Sequence, residues 1–313
     1  MTFVRAVVDC GSNSTRLWLR PDPATAPTHR ERVTRLGQGV DATGRLDPAA
    51  IERTTSTIAD YADEWRAAGV TASEVVVIAT SAVRDADNRD VFVAAVHELA
   101  GVTPTVLTGD QEAAASFVGA TSELEPLDEE TQVVVVDIGG GSTELVTGVP
   151  GTTRQLRGTS TQLGTVRLTE RCLDDDPPTS IQVDAARATA RDILTDGLAH
   201  LDLDDPRTVH LVAVAGTATT LAGLDLGDGE DSTFERLDGH VLTASRLATL
   251  TRDLVGRSAA DRLAIGPMNP GRADVIAAGA IILDELIDLL GRPDVTVSMR
   301  DVMDGVAALW PFD

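Results

Sequence analysis

The feature that most constrains the fold is a run of four valines that leads through an acid into three glycines. Residues 133–136 are all β-branched, which is typical of a strand buried on both faces of a sheet. Asp137 follows them, residues 139–141 are glycines, and apolar residues resume at Leu145. Glycines let the backbone bend tightly and present its N–H groups to a bulky anion. The pattern therefore predicts a strand–turn–strand unit that forms a phosphate cradle with a carboxylate at its edge.

The same unit occurs near the N-terminus. Residues 8–17 align with residues 136–145, and Val, Asp, Gly, Ser, Thr and Leu recur in register. Glycine-rich hairpins are common enough for two of them to coincide, but the shared register favours a duplicated domain. Two facing hairpins would then grip one phosphate-bearing ligand in a cleft between the halves.

Length and residue usage limit the class of protein. A chain of 313 residues is long enough for two domains, each able to bury a core. No apolar run approaches the ~20 residues of a membrane-spanning helix, and the N-terminus lacks the pattern of a signal peptide. Two cysteines, Cys10 and Cys172, are too few for a disulfide framework. We therefore expect a cytoplasmic protein that has no membrane partner.

The charge of the chain is strongly negative. The net charge is −23, and all 26 basic residues are arginines. Such acidity argues against binding to nucleic acid or to an anionic membrane. It also suits a polyanionic substrate poorly, unless arginines gather at the site. We interpret the acidity as a contribution to solubility, and whether it reflects a salty cytoplasm stays open.

Strands and helices alternate after an antiparallel start, and this order predicts an α/β fold. The acidic, irregular residues 122–131 are the best linker candidate. We therefore predict domains at residues 1–124 and 125–313, with a last helix that can pack back on the first domain. The predicted strands are 3–9, 15–20, 29–36, 75–79, 104–107, 133–137, 143–149, 153–157, 208–215 and 295–298, and the main predicted helices are 47–69, 89–100, 110–121, 162–172, 181–200, 245–255, 258–263, 272–290 and 300–309.

Phosphoryl transfer requires donors for the phosphate oxygens, a cation to neutralise charge and a group that places the nucleophile. The two turns supply donors, and Asp9, Asp137 and Glu144 beside them are carboxylates suited to Mg²⁺. Each of these acids could instead stabilise its own turn, because Asp often bonds to nearby backbone. The residues alone leave both roles open.

Two further charged residues follow predicted strand ends, where sites in α/β proteins form. Arg84 could clamp a phosphate with two hydrogen bonds, or it could pair with Asp85 or Asp87 on the surface. Glu112 lies in the first turn of a helix after Gly109, where an acid commonly interacts with the helix dipole. If Glu112 instead faces the cleft, it can accept a proton from water.

At these residues the sequence resembles the exopolyphosphatase and guanosine-pentaphosphate phosphohydrolase family, over nearly the whole chain. Residues 9–14 look like the first phosphate motif of that family, and residues 137–144 are similar to its second, which is highly specific. Residues 80–86 and 109–113 fall between them in the expected order. Residues 214–217 resemble the segment that corresponds to the nucleotide loop of actin-like ATPases.

The resemblance implies duplicated ribonuclease-H-like domains of the actin-like ATPase superfamily, with a cleft between them. It also implies a hydrolase that needs Mg²⁺ or Mn²⁺ and removes a terminal phosphate from a phosphoanhydride chain. Glu112 would be the general base, Asp137 would position water or metal, and the metal ligands would be Asp9, Asp137 and Glu144. The phosphates would be held by Gly11, Ser12, Asn13, Ser14, Arg16, Arg84, Gly139, Gly140, Gly141 and Ser142.

Departures from the family pattern bear on the substrate. Ala114 stands where many members have Arg, and residues 303–305 read Met-Asp-Gly where they commonly read Arg-Glu-Gly. The chain also ends before the helical domain that longer members add. We therefore expect inorganic polyphosphate in short chains as the substrate, and a homodimer is a further expectation.

Other functions stay open at this stage. Guanosine pentaphosphate (pppGpp) is the alternative substrate for the same chemistry. An actin-fold kinase would need an acceptor pocket and a catalytic Asp, and the sequence identifies neither. A nucleotide-binding regulator without turnover would have no need of a base such as Glu112.

Overall fold

Two β-sheets form the framework of the protein in a computed structural model, which describes residues 3–124, 127, 131–151, 156–227, 234–266 and 268–312. The first sheet contains β1 (Ala6–Cys10), β2 (Ser14–Leu19), β3 (Thr28–Val33), β4 (Val75–Ala79) and β5 (Thr105–Val106). The second contains β6 (Val133–Ile138), β7 (Thr143–Gly148), β8 (Arg157–Thr161), β9 (His210–Val214), β10 (Val241–Thr243) and β11 (Asp294–Val297).

Helices connect and cover these strands. None of the helices in the described part of the chain is both long and apolar enough to cross a membrane. The helices are α1 (Val40–Thr43), α2 (Pro48–Ala67), α3 (Ser81–Asp85), α4 (Arg89–Ala100), α5 (Gly109–Thr121), α6 (Thr165–Cys172), α7 (Ser180–Leu198), α8 (Ala215–Leu226), α9 (Phe234–Leu237), α10 (Ala244–Val255), α11 (Ala259–Leu263), α12 (Ile276–Leu290) and α13 (Val302–Leu309).

The two sheets share one topology. In the first sheet the strand order is β3-β2-β1-β4-β5, with β1 antiparallel to β2 and parallel to β4. In the second, β6 takes the place of β1 in the order β8-β7-β6-β9-β11-β10, antiparallel to β7 and parallel to β9. β10 adds one antiparallel strand at the edge. The predicted duplicated α/β fold is confirmed.

The duplicated hairpins keep the same register but differ in charge. Asp9 pairs with Arg16 across the first hairpin, and Asp137 pairs with Glu144 across the second. Residues directly opposite each other in an antiparallel pair lie on the same face of the sheet. The repeat therefore retains the acid but replaces its cationic neighbour with a second acid.

Some elements differ from the sequence prediction. α8 begins at Ala215, with a left-handed φ of 64°, where we expected a strand end and a loop. β8 covers Arg157–Thr161 instead of residues 153–157, and residues 152–155 lie outside the described residues, as does most of the linker candidate at residues 125–130. β10 was missed because its three residues are too few to establish an alternating pattern.

Each half buries its own core on the outer face of its sheet. In the first half, α2 and α4 pack on the sheet through side chains that include Trp65 and Phe92. In the second half, α7, α8, α10 and α12 enclose a larger cluster around Val134 and Val136. Both cysteines, Cys10 and Cys172, are free.

The halves interlock through two helices that pack on the other faces of the sheets. Phe117 of α5 contacts the apolar cluster of Val135 and Val146 in the second sheet. Val306 of α13 belongs to the cluster of Val7 in the first sheet. The last helix of the chain therefore packs on the first sheet, while the exact boundary between residues 124 and 125 stays a prediction.

The helices α5 and α13 also cross each other backbone to backbone. A Cβ atom built on Gly305 would lie 1.8 Å from the carbonyl oxygen of Ala115, and one on Gly119 would lie 1.9 Å from that of Asp301. Neither position has room for a methyl group. Only glycine at both positions allows this close approach of the two helices.

We predict that Gly305→Ala lowers the free energy of unfolding by about 1–3 kcal/mol, because the crossing helices must separate to admit the methyl group. Gly256→Ala is the control, since a Cβ atom there would lie no nearer than 3.3 Å to a neighbouring atom. Urea unfolding of both variants measures the difference. A Gly305 variant as stable as the wild type would mean that the crossing can widen without cost.

Candidate active site

A cleft lies between the two halves, and both glycine turns line it. Each turn follows the central strand of its sheet, β1 or β6, so the duplication brings equivalent residues to opposite walls. Twelve of the fourteen predicted site residues line the cleft, and Arg84 and Glu144 do not. Those twelve are Asp9, Gly11, Ser12, Asn13, Ser14, Arg16, Glu112, Asp137, Gly139, Gly140, Gly141 and Ser142.

The two turns have the same closing hydrogen bond. The N–H of Gly11 donates to the carbonyl of Ser14 at 3.0 Å, and the N–H of Gly139 donates to the carbonyl of Ser142 at 3.0 Å. The alignment of the two motifs in the sequence therefore corresponds to one backbone geometry used twice.

The turns also touch each other at the floor of the cleft. A Cβ atom on Gly140 would lie 2.9 Å from the Cβ of Ser12 and 3.0 Å from the backbone nitrogen of Asn13. A Cβ atom on Gly141 would lie 2.5 Å from the hydroxyl of Ser81. Glycine is required here because the backbones of the two halves approach more closely than side chains permit.

Glu112 reaches the cleft from the first turn of α5. The hydroxyl of Thr108 caps this helix by accepting from the N–H of Gln111. Arg84 donates to Oε2 of Glu112 at 2.8 Å and to the carbonyl of Leu107 at 3.0 Å. Burial raises the pKa of Glu112 to about 7, although Arg84 acts in the opposite direction. Glu112 can therefore change its protonation near neutral pH, as a general base must.

Asp137 lies near the end of β6, on the opposite wall from the first turn. The hydroxyl of Ser116, on α5, donates to Oδ2 of Asp137 at 2.7 Å. Burial, reinforced by the negative charge of Asp301, raises the pKa of Asp137 to about 6. Burial therefore raises the pKa of both cleft carboxylates, Asp137 and Glu112.

Asp9, on the cleft wall, has a buried carboxylate oxygen that has no hydrogen-bond partner among the described residues. Nη2 of Arg16 donates to Oδ2 of Asp9 at 2.6 Å, whereas Oδ1 is buried and accepts no hydrogen bond from a described residue. Burial raises the pKa of Asp9, and Arg16 opposes the rise. Arg16 also contacts Asp301. The guanidinium of Arg16 is therefore held by two carboxylates.

The two predicted residues that do not line the cleft lie close behind it. Glu144 is only 1% exposed and accepts a hydrogen bond from the hydroxyl of Ser160 at 2.7 Å. Burial, with the neighbouring acids Glu112 and Asp137, raises the pKa of Glu144 well above its ordinary value. Arg84 is turned toward Glu112 and not toward the acids beside it in the sequence.

An ion pair that the sequence does not predict lies on the cleft wall, between Glu31 of β3 and Arg272. Nη2 of Arg272 donates to both carboxylate oxygens of Glu31 at 2.7 Å, and Nη1 donates to the carbonyl of Gly216 at 2.9 Å. The two residues lie 241 positions apart, so no local pattern links them. The one signal was Gly216, in the segment that resembles a nucleotide loop.

A scan against protein-family models matches residues 25–310 to the Ppx/GppA phosphatase family. The chain belongs to this family. This match confirms the resemblance seen in the two glycine motifs. Members of the family are phosphoanhydride hydrolases.

Similar proteins cover almost the whole chain. Exopolyphosphatase 2 of Mycobacterium tuberculosis is 41% identical, over 96% of this chain and 97% of that protein. A guanosine-5'-triphosphate,3'-diphosphate pyrophosphatase of Photobacterium profundum is 26% identical, over 96% of this chain and 58% of that protein. A crystal structure described as an exopolyphosphatase-like protein superposes with a TM-score of 0.88 at 33% identity, over 97% of both chains.

The carboxylates of this Ppx/GppA protein suit a metal that arrives with phosphate. No group of three His, Cys, Asp or Glu side chains among the described residues is spaced to hold a metal ion alone. Asp9 and Asp137 both line the cleft, and one buried carboxylate oxygen of Asp9 has no partner among the described residues. Mg²⁺ is commonly held by one or two carboxylates together with waters and substrate phosphates. Glu144 does not reach the cleft and does not fit this role.

We predict that Glu144→Gln gains stability relative to the wild type as the pH rises. The folded-state pKa of Glu144 is raised, so its stabilising contribution is present at acid pH and is lost as the pH rises toward that pKa. Glutamine does not ionise, and it can still accept the hydrogen bond from Ser160. Urea unfolding at about pH 5 and about pH 8 measures the change, with the exposed Glu52→Gln as control. Equal stability differences at both pH values would contradict the prediction.

Proposed function

We propose that this protein is an exopolyphosphatase, which releases the terminal orthophosphate of inorganic polyphosphate. The observation that carries the proposal is a buried carboxylate, Glu112, whose pKa of about 7 suits a general base in a cleft lined by two glycine turns. The chain is 41% identical to a protein named exopolyphosphatase and 26% identical to the relative named guanosine-5'-triphosphate,3'-diphosphate pyrophosphatase. The higher identity supports polyphosphate as the substrate.

In the proposed reaction, Glu112 removes a proton from water while the water oxygen attacks the terminal phosphorus. A new P–O bond forms, and the bond from that phosphorus to the bridging oxygen breaks. The terminal group leaves as orthophosphate, the shortened chain leaves as an anion, and the proton on Glu112 passes to solvent. Arg84 holds the carboxylate of Glu112 for this step at 2.8 Å.

The backbone of the two turns would bind the phosphate oxygens. Glycines in the turns leave the N–H groups open to a bulky anion. Arg16 and Arg272 add positive charge to the wall, but each already pairs with carboxylates. A phosphate that reached Arg272 would have to compete with Glu31. This competition favours short chains, which need few contacts along the cleft.

Two other observations support short chains. The net charge of −23 repels a long polyanion, although salt screens that field beyond ~10 Å. Met303, at a position where family members commonly have Arg, is only 3% exposed and packs in an apolar cluster. It offers no contact to an anion.

We propose that Asp9 and Asp137 bind Mg²⁺, or Mn²⁺, together with oxygens of the substrate. Bound there, the metal would offset the negative charge of the carboxylates and of the polyphosphate. The unpartnered oxygen of Asp9 supports this assignment. A homodimer and a cytoplasmic location stay predictions from the sequence.

The second candidate substrate is pppGpp, because its terminal phosphate is joined by the same kind of bond. The relative named for such a substrate supports it, and so does the segment of Ala215, Gly216 and Thr217 on the cleft wall. This segment resembles a nucleotide loop, and its backbone could contact a ribose or base.

We predict that phosphate release is fastest from tripolyphosphate, slower from long polyphosphate and slowest from pppGpp, compared by kcat/KM at fixed salt. Excess chelator should abolish all three activities. Glu112→Gln, purified in the same way, is the control for contaminating phosphatases and should lower kcat by about 10²–10⁴. A preference for pppGpp would replace the proposed substrate, and near-normal turnover by Glu112→Gln would overturn the proposed chemistry.

We also predict that kcat/KM for tripolyphosphate rises with pH to a plateau, with an apparent pKa of about 7, because the base must be ionised. Arg84→Met should raise this apparent pKa, since the guanidinium stabilises the ionised carboxylate. Arg89→Met, at an exposed position nearby, is the matched control. Titration of the substrate affects the wild type and the variants equally, so it cancels in the comparison. Identical pH profiles of kcat/KM for the wild type and Arg84→Met would therefore show that Arg84 does not change the pKa of the base.

A further inference from the structure

The short helix α3 carries two adjacent charged side chains that reach different parts of the site. Arg84 contacts the proposed base, Glu112, as described above. Asp85 accepts a hydrogen bond from Nη2 of Arg167 at 2.8 Å, and Arg167 belongs to α6 in the other half. Arg167 does not line the cleft and takes no part in the proposed chemistry, yet it is only 8% exposed.

All three guanidinium nitrogens of Arg167 are engaged. Nε donates to the carbonyl of Gly141, in the second turn, at 2.7 Å. Nη1 donates to Oδ1 of Asp41 at 2.5 Å, and Nη2 donates to Asp85. Arg167 therefore joins one peptide of the second turn to two carboxylates of the first half. A buried cation is costly unless its donors are satisfied, and here the first half satisfies two of them.

The remaining carbonyls of the turn are held by the backbone at the start of α6. The N–H of Thr165 donates to the carbonyl of Gly139 at 2.9 Å, and the N–H of Val166 donates to that of Gly140 at 2.8 Å. Two consecutive peptides are thus fixed by helix backbone. The third, between Gly141 and Ser142, is fixed by a side chain.

The orientation of that third peptide matters for anion binding. In a planar trans peptide the C=O and the N–H point in opposite directions. With the carbonyl of Gly141 directed at Arg167, the N–H of Ser142 is directed away from α6. Glycine tolerates either orientation of the following peptide, so a flip would turn the N–H away and present a carbonyl oxygen to the phosphate.

We propose that Arg167 is a positioning residue that keeps the N–H of Ser142 directed into the cleft. Asp41 and Asp85 hold Arg167 in place from the first half, so the second turn binds phosphate well only while the halves are in contact. The inference rests on the proposed function. It adds that phosphate binds more weakly when the two halves separate. It also explains why a charged residue directly follows Arg84.

The test compares Arg167→Gln with the control Arg171→Gln. Arg171 lies one turn further along α6 and contacts Asp41 at 2.6 Å and the carbonyl of Gln162, but not the second turn. We expect Arg167→Gln to raise KM for tripolyphosphate by about tenfold to a hundredfold with little change in kcat, because a donor to a charged group is lost in ground and transition state alike. Arg171→Gln should change KM by less than about twofold.

A second measurement needs no substrate. Hydrogen–deuterium exchange of the unliganded protein should be faster over residues 139–143 in Arg167→Gln and unchanged in Arg171→Gln. If the wild type released no phosphate from polyphosphate, the proposed function would fail, and the exchange comparison would still decide the role of Arg167.

If Arg167→Gln does not fold, Arg167→Lys and Asp85→Asn decide by the same two readouts. Lysine at position 167 can reach only some of the three acceptors, and asparagine at position 85 keeps an acceptor but loses the charge. Both variants should therefore have a KM between that of the wild type and that of a variant that lacks all contacts of Arg167. Equal KM and equal exchange in the Arg167 and Arg171 variants would overturn the proposal. So would a variant that is less stable but unchanged in KM and exchange, since Arg167 would then only join the halves.

Discussion

The direct contact between two glycine turns is the constraint on which the rest of the site depends. Gly140 lies so close to Ser12 that a Cβ atom would be only 2.9 Å from the serine Cβ, so any side chain would push the halves apart. The same separation is set independently by the crossing of α5 and α13 at Gly119 and Gly305. Because packed interiors resist compression, these two close contacts limit how near the two halves can approach each other.

Charge breaks the symmetry that the duplicated backbone creates. In the first half Arg16 faces Asp9, and in the second half Glu144 occupies the equivalent place opposite Asp137. Burial then raises the pKa of Asp137 to about 6 and that of Glu112 to about 7. Two hairpins of the same backbone geometry thus carry different charges. The first pairs an acid with an arginine, and the second pairs two acids.

Arginine side chains hold the two walls together. Arg16 of the first half contacts Asp301 of the second, while Arg167 and Arg272 of the second half pair with Asp85 and Glu31 of the first. A guanidinium offers several donors in a rigid fork, so one side chain can bind a carboxylate and a backbone carbonyl at once. These ion pairs must separate if the cleft is to open.

The sequence by itself determined the duplicated turns, the order of the strands and the position of Glu112 after Gly109, because β-branched runs, glycines and helix starts are local signals. It did not reveal α8, whose alanines, glycines and threonines lack a clear apolar face. Only the tertiary structure decided the partner of each charge, such as Arg272 for Glu31 and Arg167 for Asp85. Local periodicity determines the face on which a side chain lies, whereas its partner across a cleft comes from a distant part of the chain, and only the packing of the two halves brings them together.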